Sequence, residues 1–228
     1  MDQLAQVSQT LALTMGVAWA SGINLYAAVL TLGLLGASGN MTLPPGLEML
    51  ANPLVIGAAG LMYVVEFFAD KIPGIDSAWD VLHTFVRIPA GALLAAGSVG
   101  EVDPAVALAA GLVGGAVAGA THFAKAGTRL LINTSPEPFT NAVASVSEDA
   151  VVFGGMWLAT RHPAWFLLFF VLFGMLLAWA MPKLLRGIRL LFSRVVSFLR
   201  GRGLTPATPV TAGGPGLGEA SEDDRPTL

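Results

Sequence analysis

The sequence predicts an all-α, polytopic integral membrane protein: about six transmembrane helices with an internal two-helix repeat, then a C-terminal amphipathic helix and a disordered tail. Three observations predict it. Of the 228 residues, 54% are apolar and 12% charged, and the mean hydropathy is +0.70, far from a water-soluble composition. The charges are gathered into a few segments separated by apolar runs long enough to cross about 30 Å of hydrocarbon, which takes about 20 helical residues. Two charged segments, 66–89 and 121–150, share a plan. The absence of cysteine excludes disulfides, thiolate zinc sites and iron–sulfur clusters, so any metal chemistry would rest on histidine and carboxylates.

The N-terminal MDQLAQVSQT carries no Lys or Arg and so lacks the positive region of a secretory signal. The first apolar run, 11–36, is expected to stay as a membrane anchor. Its middle, Ala20-Ser21-Gly22-Ile23-Asn24, is polar and weakly helical, and Ser21 and Asn24 read either as interhelical hydrogen-bonding groups or as part of a permeation path. A turn-rich stretch leads to the second span, 53–69, which ends in the charged segment EFFADKIPGIDSAWDVLHTFVRIP. Seven ionisable side chains (Glu66, Asp70, Lys71, Asp76, Asp80, His83 and Arg87) persist near lipid only if they face protein, water or each other. Pro73-Gly74 breaks the segment, and a third helix starts near Asp76, whose carboxylate suits a helix N-terminus. Asp80, Thr84 and Arg87 then recur at helical spacing, with His83 on the flank. Pro89 is expected to bend that helix.

After the acidic turn Glu101-Asp103-Pro104, the fourth span covers 105–121. Its Gly111, Gly115 and Gly119 allow close backbone approach, either inside the bundle or at a dimer face. His122, Lys125 and Arg129 again share a face, readable as a solvated cytoplasmic end or as a functional stripe. The fifth span, 139–160, holds Glu148 and Asp149 deep in an apolar helix, the sharpest anomaly in the chain. The sixth, 164–181, is rich in Phe and Leu, with Trp165 and Trp179 as interfacial belts around a lipid-facing anchor, while His162 just before it reads as solvated. Beyond Pro182, the stretch 183–202 alternates basic and apolar residues and is expected to lie on an anionic cytoplasmic lipid surface. The composition of 203–228 predicts disorder. The domains are thus a transmembrane part, 1–182, with repeat units 53–97 and 105–160, followed by the interfacial helix and the tail.

FADKIPGIDSAWD, the following RIPAG and the later SPEPFTNAVASVSED resemble a family of bacterial polytopic membrane proteins catalogued as domain of unknown function 4126. The resemblance covers about residues 10–195. It implies the membrane fold and no catalytic residues.

The repeat aligns Phe68-Ala69 with Phe123-Ala124 and then, after a longer loop, Asp76 with Glu137, Asp80 with Asn141, Thr84 with Ser145 and Arg87 with Glu148. It predicts an ion pair between Arg87 and Glu148 or Asp149 on facing helices. Lys and Arg concentrate near 70–78, in 121–137 and at the C-terminus and are absent from 37–52 and 98–104. With six spans, this places both termini in the cytoplasm of a bacterium, around its inner membrane. Spans one and six would then flank two parallel units.

No HExxH, GxSxG or P-loop occurs, so no enzyme activity and no cofactor is expected. Asp76, Asp80 and His83 form the best candidate for a metal or acid–base set. A transporter or channel-like protein for a small or ionic solute accounts for more of the anomalies. Its path would run between the third and fifth helices through Glu66, Asp70, Asp76, Asp80, His83, Arg87, His122, Lys125, Asn141, Glu148 and Asp149. The alternative is a non-catalytic scaffold whose buried charges fix helix register. The expected partners are the bilayer, anionic headgroups at 183–202, a small solute or ion, and a second copy of the chain; nucleic acid is not expected.

Overall fold

A computed structural model describes residues 2–134 and 138–203. Glu137, aligned above with Asp76, and the tail beyond Gly203 lie outside the described residues. Among these residues the chain is wholly helical: α1 (Asp2–Ala37), a 3-10 helix (Pro45–Ala51), α2 (Pro53–Ala69), α3 (Ile75–Ser98), α4 (Pro104–Ile132), α5 (Pro138–Arg161) and α6 (Pro163–Gly203). Four of the α-helices open on proline, whose fixed φ and missing N–H suit the first helical position. Asn52 and Asp103 cap α2 and α4 by accepting from Leu54 N and Ala105 N, each at 2.8 Å, as expected of such side chains.

Five helices are long and apolar enough to cross a membrane, or six if the 3-10 helix and α2, bent by 70° at their junction, count as one span. The protein is therefore a polytopic membrane protein with the expected complement of apolar helices. What differs is the path of the first. Asn24 interrupts α1 with non-helical angles (φ −145°, ψ 97°), and the contacts on either side show that the chain turns back there. On the way in, Thr14 meets Ser98 (2.7 Å between hydroxyls), Ser21 lies beside Gly91, and Gly22 O faces Arg87, so the first half descends antiparallel to α3. On the way out, Leu30 lies beside Gly60 and Gly33 beside Ile56 and Leu50, so the second half climbs antiparallel to α2. Since Gly46 packs on Gly97 while Glu66 reaches Arg87, α2 and α3 are themselves antiparallel. Both ends of α1 therefore sit at the end of the bundle that holds Gly97 and the 3-10 helix. A cleft lined by Gln9, Leu13, Met41, Thr42, Ser98 and Ala159 joins the residues before and after the hairpin.

The rest is arranged around this hairpin. It packs against α2, α3, α4 and α5, whereas the members of each expected unit, α2 with α3 and α4 with α5, barely touch. The first span is thus the centre of the bundle and not its flank. Its composition explains the placement: Ala12, Val17, Ala18, Trp19, Ala20, Ala27, Ala28 and Leu32 have no exposed surface, as in a helix apolar all round. The most extensive helix pair is α3 with α4. Gly111 and Gly115 face Ala92 there, and Gly119 faces Ile88, so the small-residue stripe is an internal contact.

α4 does not end at residue 121 but continues to Ile132, carrying His122, Lys125 and Arg129 into the interior. α3 likewise runs unbroken through Pro89. α6 presents Phe166, Phe169 and Phe173 edge-on to Trp19, with ring centroids 5.4–6.1 Å away, and exposes Leu168, Leu172, Leu176, Trp165 and Trp179 as a lipid-facing helix should. Further along, Leu184 and Ile188 close over Gly127, at the opposite end of the bundle from the start of α1. Helix α6 also runs through Pro182 without a break, so Lys183, Arg186 and Arg189 belong to the same helix as the last apolar run. The part from Phe192 onward forms its own unit, in which Phe192, Val195 and Phe198 are exposed.

Candidate functional site

All eleven residues of the expected path come together at the end of the bundle away from Gly97, where the lower turns of α2, α3, α4 and α5 meet the tip of the α1 hairpin. Every one except Glu148 is buried, and Glu148 is partly so. Three groups of contacts make up the site.

The lowest is a knot around Asp76 at the start of α3. Its carboxylate accepts from Gly74 N (2.8 Å) and Ser77 N (2.6 Å) and from the side-chain amides of Asn133 (2.8 and 2.9 Å) and Asn141 (3.1 Å). Gly74 can present its N–H this way because it holds φ at +89°, open to glycine and costly elsewhere. Asp76 is thus a helix-start anchor, compensated by amides and the helix dipole.

Above it lie the cations. Arg87, with no exposed surface, donates to Glu66 Oε1 (2.5 Å), to Asp80 Oδ1 (3.3 Å) and to Gly22 O (3.4 Å). Arg129 grips Glu148 with two parallel bonds (Nε to Oε1 3.2 Å, NH2 to Oε2 2.8 Å) and donates to Asp70 O (2.7 Å). Lys125 lies between them, 2.8 Å from Asp70 Oδ2, 3.3 Å from Glu66 Oε1 and 3.5 Å from Glu148 Oε2. The expected pair of Arg87 with Glu148 or Asp149 is therefore not formed: Glu66 on α2 takes Arg87, and Arg129 takes Glu148. Nor do His122, Lys125 and Arg129 form a solvated helix end.

The third group is the hairpin tip. Asn24 donates to Asp149 Oδ1 (3.0 Å) and accepts from Ala27 N (2.9 Å), so the same side chain joins α5 and caps the second half of α1. Tyr63 donates to Asp149 Oδ2 (3.2 Å). Of the two sequence readings of Ser21 and Asn24, the interhelical hydrogen bond holds for Asn24. Ser21 instead donates to Ala18 O of its own helix at 2.9 Å.

The partners fix the tautomer of His122 and one donor of His83. Arg87 NH1 lies 3.2 Å from His122 Nδ1, which must accept, so Nε2 carries the proton and donates to Thr84 Oγ1 at 2.8 Å. Conversely, His83 Nδ1 lies 2.9 Å from Trp79 O and must donate, while its Nε2 shares a hydrogen bond of 3.0 Å with Tyr26 OH. These commitments dissolve the Asp76, Asp80 and His83 set: Asp76 is saturated by amides, His83 by Tyr26 and Trp79, and Asp80 faces Arg87. Among the described residues, no group of three His, Cys, Asp or Glu side chains is placed to hold a metal ion. His162 is exposed at the other end of the bundle.

Sequence reasoning left Arg129, Asn133, Tyr26 and Tyr63 out of the site. Arg129 had a signal, its helical spacing from His122 and Lys125. The other three had none beyond polarity near a helix end or an aromatic ring in an apolar run.

The charges do not cancel. Setting aside the amide-bound Asp76, the cluster holds five carboxylates (Glu66, Asp70, Asp80, Glu148, Asp149) against the three cations bonded to them (Arg87, Lys125, Arg129) and a fourth, the partly buried Lys71, which feels Asp149 and Asp70, an excess of one. Moreover, Glu66 Oε2, Asp70 Oδ1 and Asp80 Oδ2 are buried without a protein partner, and Asp149 is held only by neutral donors. Such groups are costly in hydrocarbon and mark ion or proton pathways. A cleft of about 280 Å³ lined by Ile23, Thr121, Lys125, Glu148 and Phe173 reaches the cluster from between α4 and α5.

A model of the family described as Domain of unknown function (DUF4126) matches residues 11–183. No curated protein and no solved structure matches the chain.

Proposed function

The chain belongs to this family of unknown function, and from its site we propose that it is a transporter or channel-like protein for a small or ionic solute, coupled to protons or a cation. The observation that carries the proposal is the uncompensated charge: one more carboxylate than cations, with three buried carboxylate oxygens left unpartnered, beside the broken tip of a helix that enters the bundle and returns. Transport folds recurrently place their sites at interrupted helices, where half-helix ends and unwound carbonyls meet the ion. The path runs around the tip of α1, among α2, α3, α4 and α5. By the positive-inside rule, the end of the bundle with Lys71, Arg129 and Lys183 faces the bacterial cytoplasm, and the basic residues of 183–202 meet anionic headgroups. Lys183 lies 3.0 Å from the centre of the Trp179 ring, which suits an interfacial position.

A second reading is a membrane scaffold, favoured by the fact that Arg87, Lys125 and Arg129 each bridge more than one carboxylate or backbone oxygen. Reconstitution separates the two. Purified protein in liposomes carrying a pH-sensitive or cation-sensitive dye is expected to show flux, and Asp149→Asn to reduce it while the protein stays folded. A folded wild type that supports no flux across a panel of ions and small solutes would leave the scaffold.

A further inference from the structure

A groove of about 430 Å³ lies between α3, α4 and the lower part of α6. Thr84, Ala120 and Met181 mark its upper end and Ser77, Leu130 and Ile188 its lower end, so it follows α6 for two turns, about 10 Å. It ends where α3 begins and α4 finishes. Leu184 and Ile188 close over Gly127, and Leu131 over Gly187, which seals the side toward α4. Leu185, about 100° round the helix from Leu184, is left on the open side with Val81 of α3, and the two are 46% and 64% exposed. Protein side chains do not leave apolar gaps of this size within a packed structure, so the missing layer has to come from the bilayer. The lower end sets this gap apart from ordinary lipid contact. Arg189 follows Leu185 by one turn on the same open side, and Arg186 precedes it by three residues, near enough for the two to share one phosphate. Both are exposed, and no Asp or Glu occurs between residues 150 and 218. Across the groove, Ser77 Oγ accepts from Asn133 at 2.9 Å, which leaves its own proton to donate.

We propose that this groove is the seat of one anionic diacyl phospholipid. An acyl chain fills the gap between Val81 and Leu185, the phosphate lies against Arg186 and Arg189, and Ser77 donates to the ester region between them. The arginines then hold a single lipid in register with a groove that its chain completes, and the lipid supplies the packing layer between α6 and α3. The site rests on the placement of this end of the bundle at the headgroups and not on transport. A chain that supports no flux would still carry it.

The test separates chain from headgroup. Wild type in a neutral detergent is melted, and weighed by native mass spectrometry, with increasing phosphatidylglycerol, phosphatidylcholine of the same chains, or glycerol phosphate without chains. The expected result is one retained phosphatidylglycerol per chain with a saturable rise in melting temperature, a much smaller rise with phosphatidylcholine and none with glycerol phosphate. Replacing both arginines, Arg186→Gln with Arg189→Gln, should weaken the apparent affinity for phosphatidylglycerol about thirtyfold, the effect of two basic side chains at an anionic surface, and leave the lipid-free melting temperature unchanged. Ala126→Phe, in the groove wall, should abolish retention. Val81→Trp blocks the same gap from a position already 64% exposed, so it tests the block without disturbing the core. Four results overturn the proposal. Equal stabilisation by phosphatidylcholine marks a contact with chains alone, and equal stabilisation by glycerol phosphate marks an anion site without a chain. Retention unchanged in both Ala126→Phe and Val81→Trp puts the lipid elsewhere. A stable dimer that Val81→Trp dissociates gives the groove to a second copy.

Discussion

Replacing Arg87 by methionine tests the centre of the cluster. The guanidinium has no exposed surface and is the nearest cation to both Glu66 (2.5 Å) and Asp80 (3.3 Å). Methionine fills much of the stem's volume, so the loss is chiefly electrostatic. It leaves Glu66 and Asp80 with the ammonium of Lys125 alone, 3.3 Å and 3.9 Å away, an ammonium already shared by Asp70 at 2.8 Å and Glu148 at 3.5 Å. Breaking a buried ion pair by removing one partner costs about 3–5 kcal/mol. Because Lys125 still compensates part of Glu66, the lower end applies, about 3 kcal/mol. Adding Glu66→Gln removes the stranded charge and should recover about 1–3 kcal/mol, the range of coupling between contacting residues. Glu148→Gln, whose cation is Arg129, should recover less. The measurement is equilibrium unfolding in mixed detergent micelles, read as a double-mutant cycle. A loss below about 1 kcal/mol for Arg87→Met, or stronger coupling to Glu148 than to Glu66, would refute the assignment of partners.

Three further outcomes follow from the packing. A Cβ on Gly22 would lie 2.4 Å from Ala118 O and 1.8 Å from Thr121 Oγ1, whereas one on Gly154 meets nothing within 4 Å; Gly22→Ala should lose about 1–3 kcal/mol by overpacking, and Gly154→Ala should be neutral or gain up to about 1 kcal/mol, in the same unfolding assay. Asn24→Ala leaves Asp149 with Tyr63 alone and the second half of α1 uncapped, for a combined loss of about 2–4 kcal/mol, visible as a lower melting temperature. Because the chain has no cysteine, single cysteines at Ser8, Thr42 and Thr134 can be labelled directly in intact cells; an impermeant thiol reagent should give positions 8 and 42 the same accessibility and position 134 the opposite one, and opposite results at 8 and 42 would mean that α1 crosses the membrane.

Much of this was legible in the sequence because its signals are local. The turn-rich stretch before residue 53 marked where α2 began, and the spacing of Asp80, Thr84 and Arg87 marked an inward face. The hairpin was not legible, since an apolar run of 26 residues, 11–36, fits one crossing or two half-crossings equally well in composition. Its only trace was the polar interruption at Ser21 to Asn24. The partner of Arg87 was misassigned for another reason: a repeat predicts equivalent positions, not contacts, and Glu66 is joined to Arg87 by the fold-back between α2 and α3. The solvated-end reading of His122, Lys125 and Arg129 failed because charges signal a membrane boundary only when they lack partners, and Lys125 and Arg129 have them. Pro182 removes one backbone donor from α6, too little to end a helix whose neighbouring turns stay bonded.

The turn at Asn24 also bears on biogenesis. The partners that satisfy this tip lie far along the chain: the Ile23 carbonyl waits for Lys125, 102 residues later, and Asn24 for Asp149, 125 residues later. When α1 leaves the ribosome, neither exists, and an open carbonyl end with a polar amide at half depth has no stable place in lipid. Although α1 is synthesised before α4 and α5, its tip therefore reaches its final position after them. It must wait at the interface, or in the care of the insertion machinery, until α4 and α5 have entered and prepared its socket.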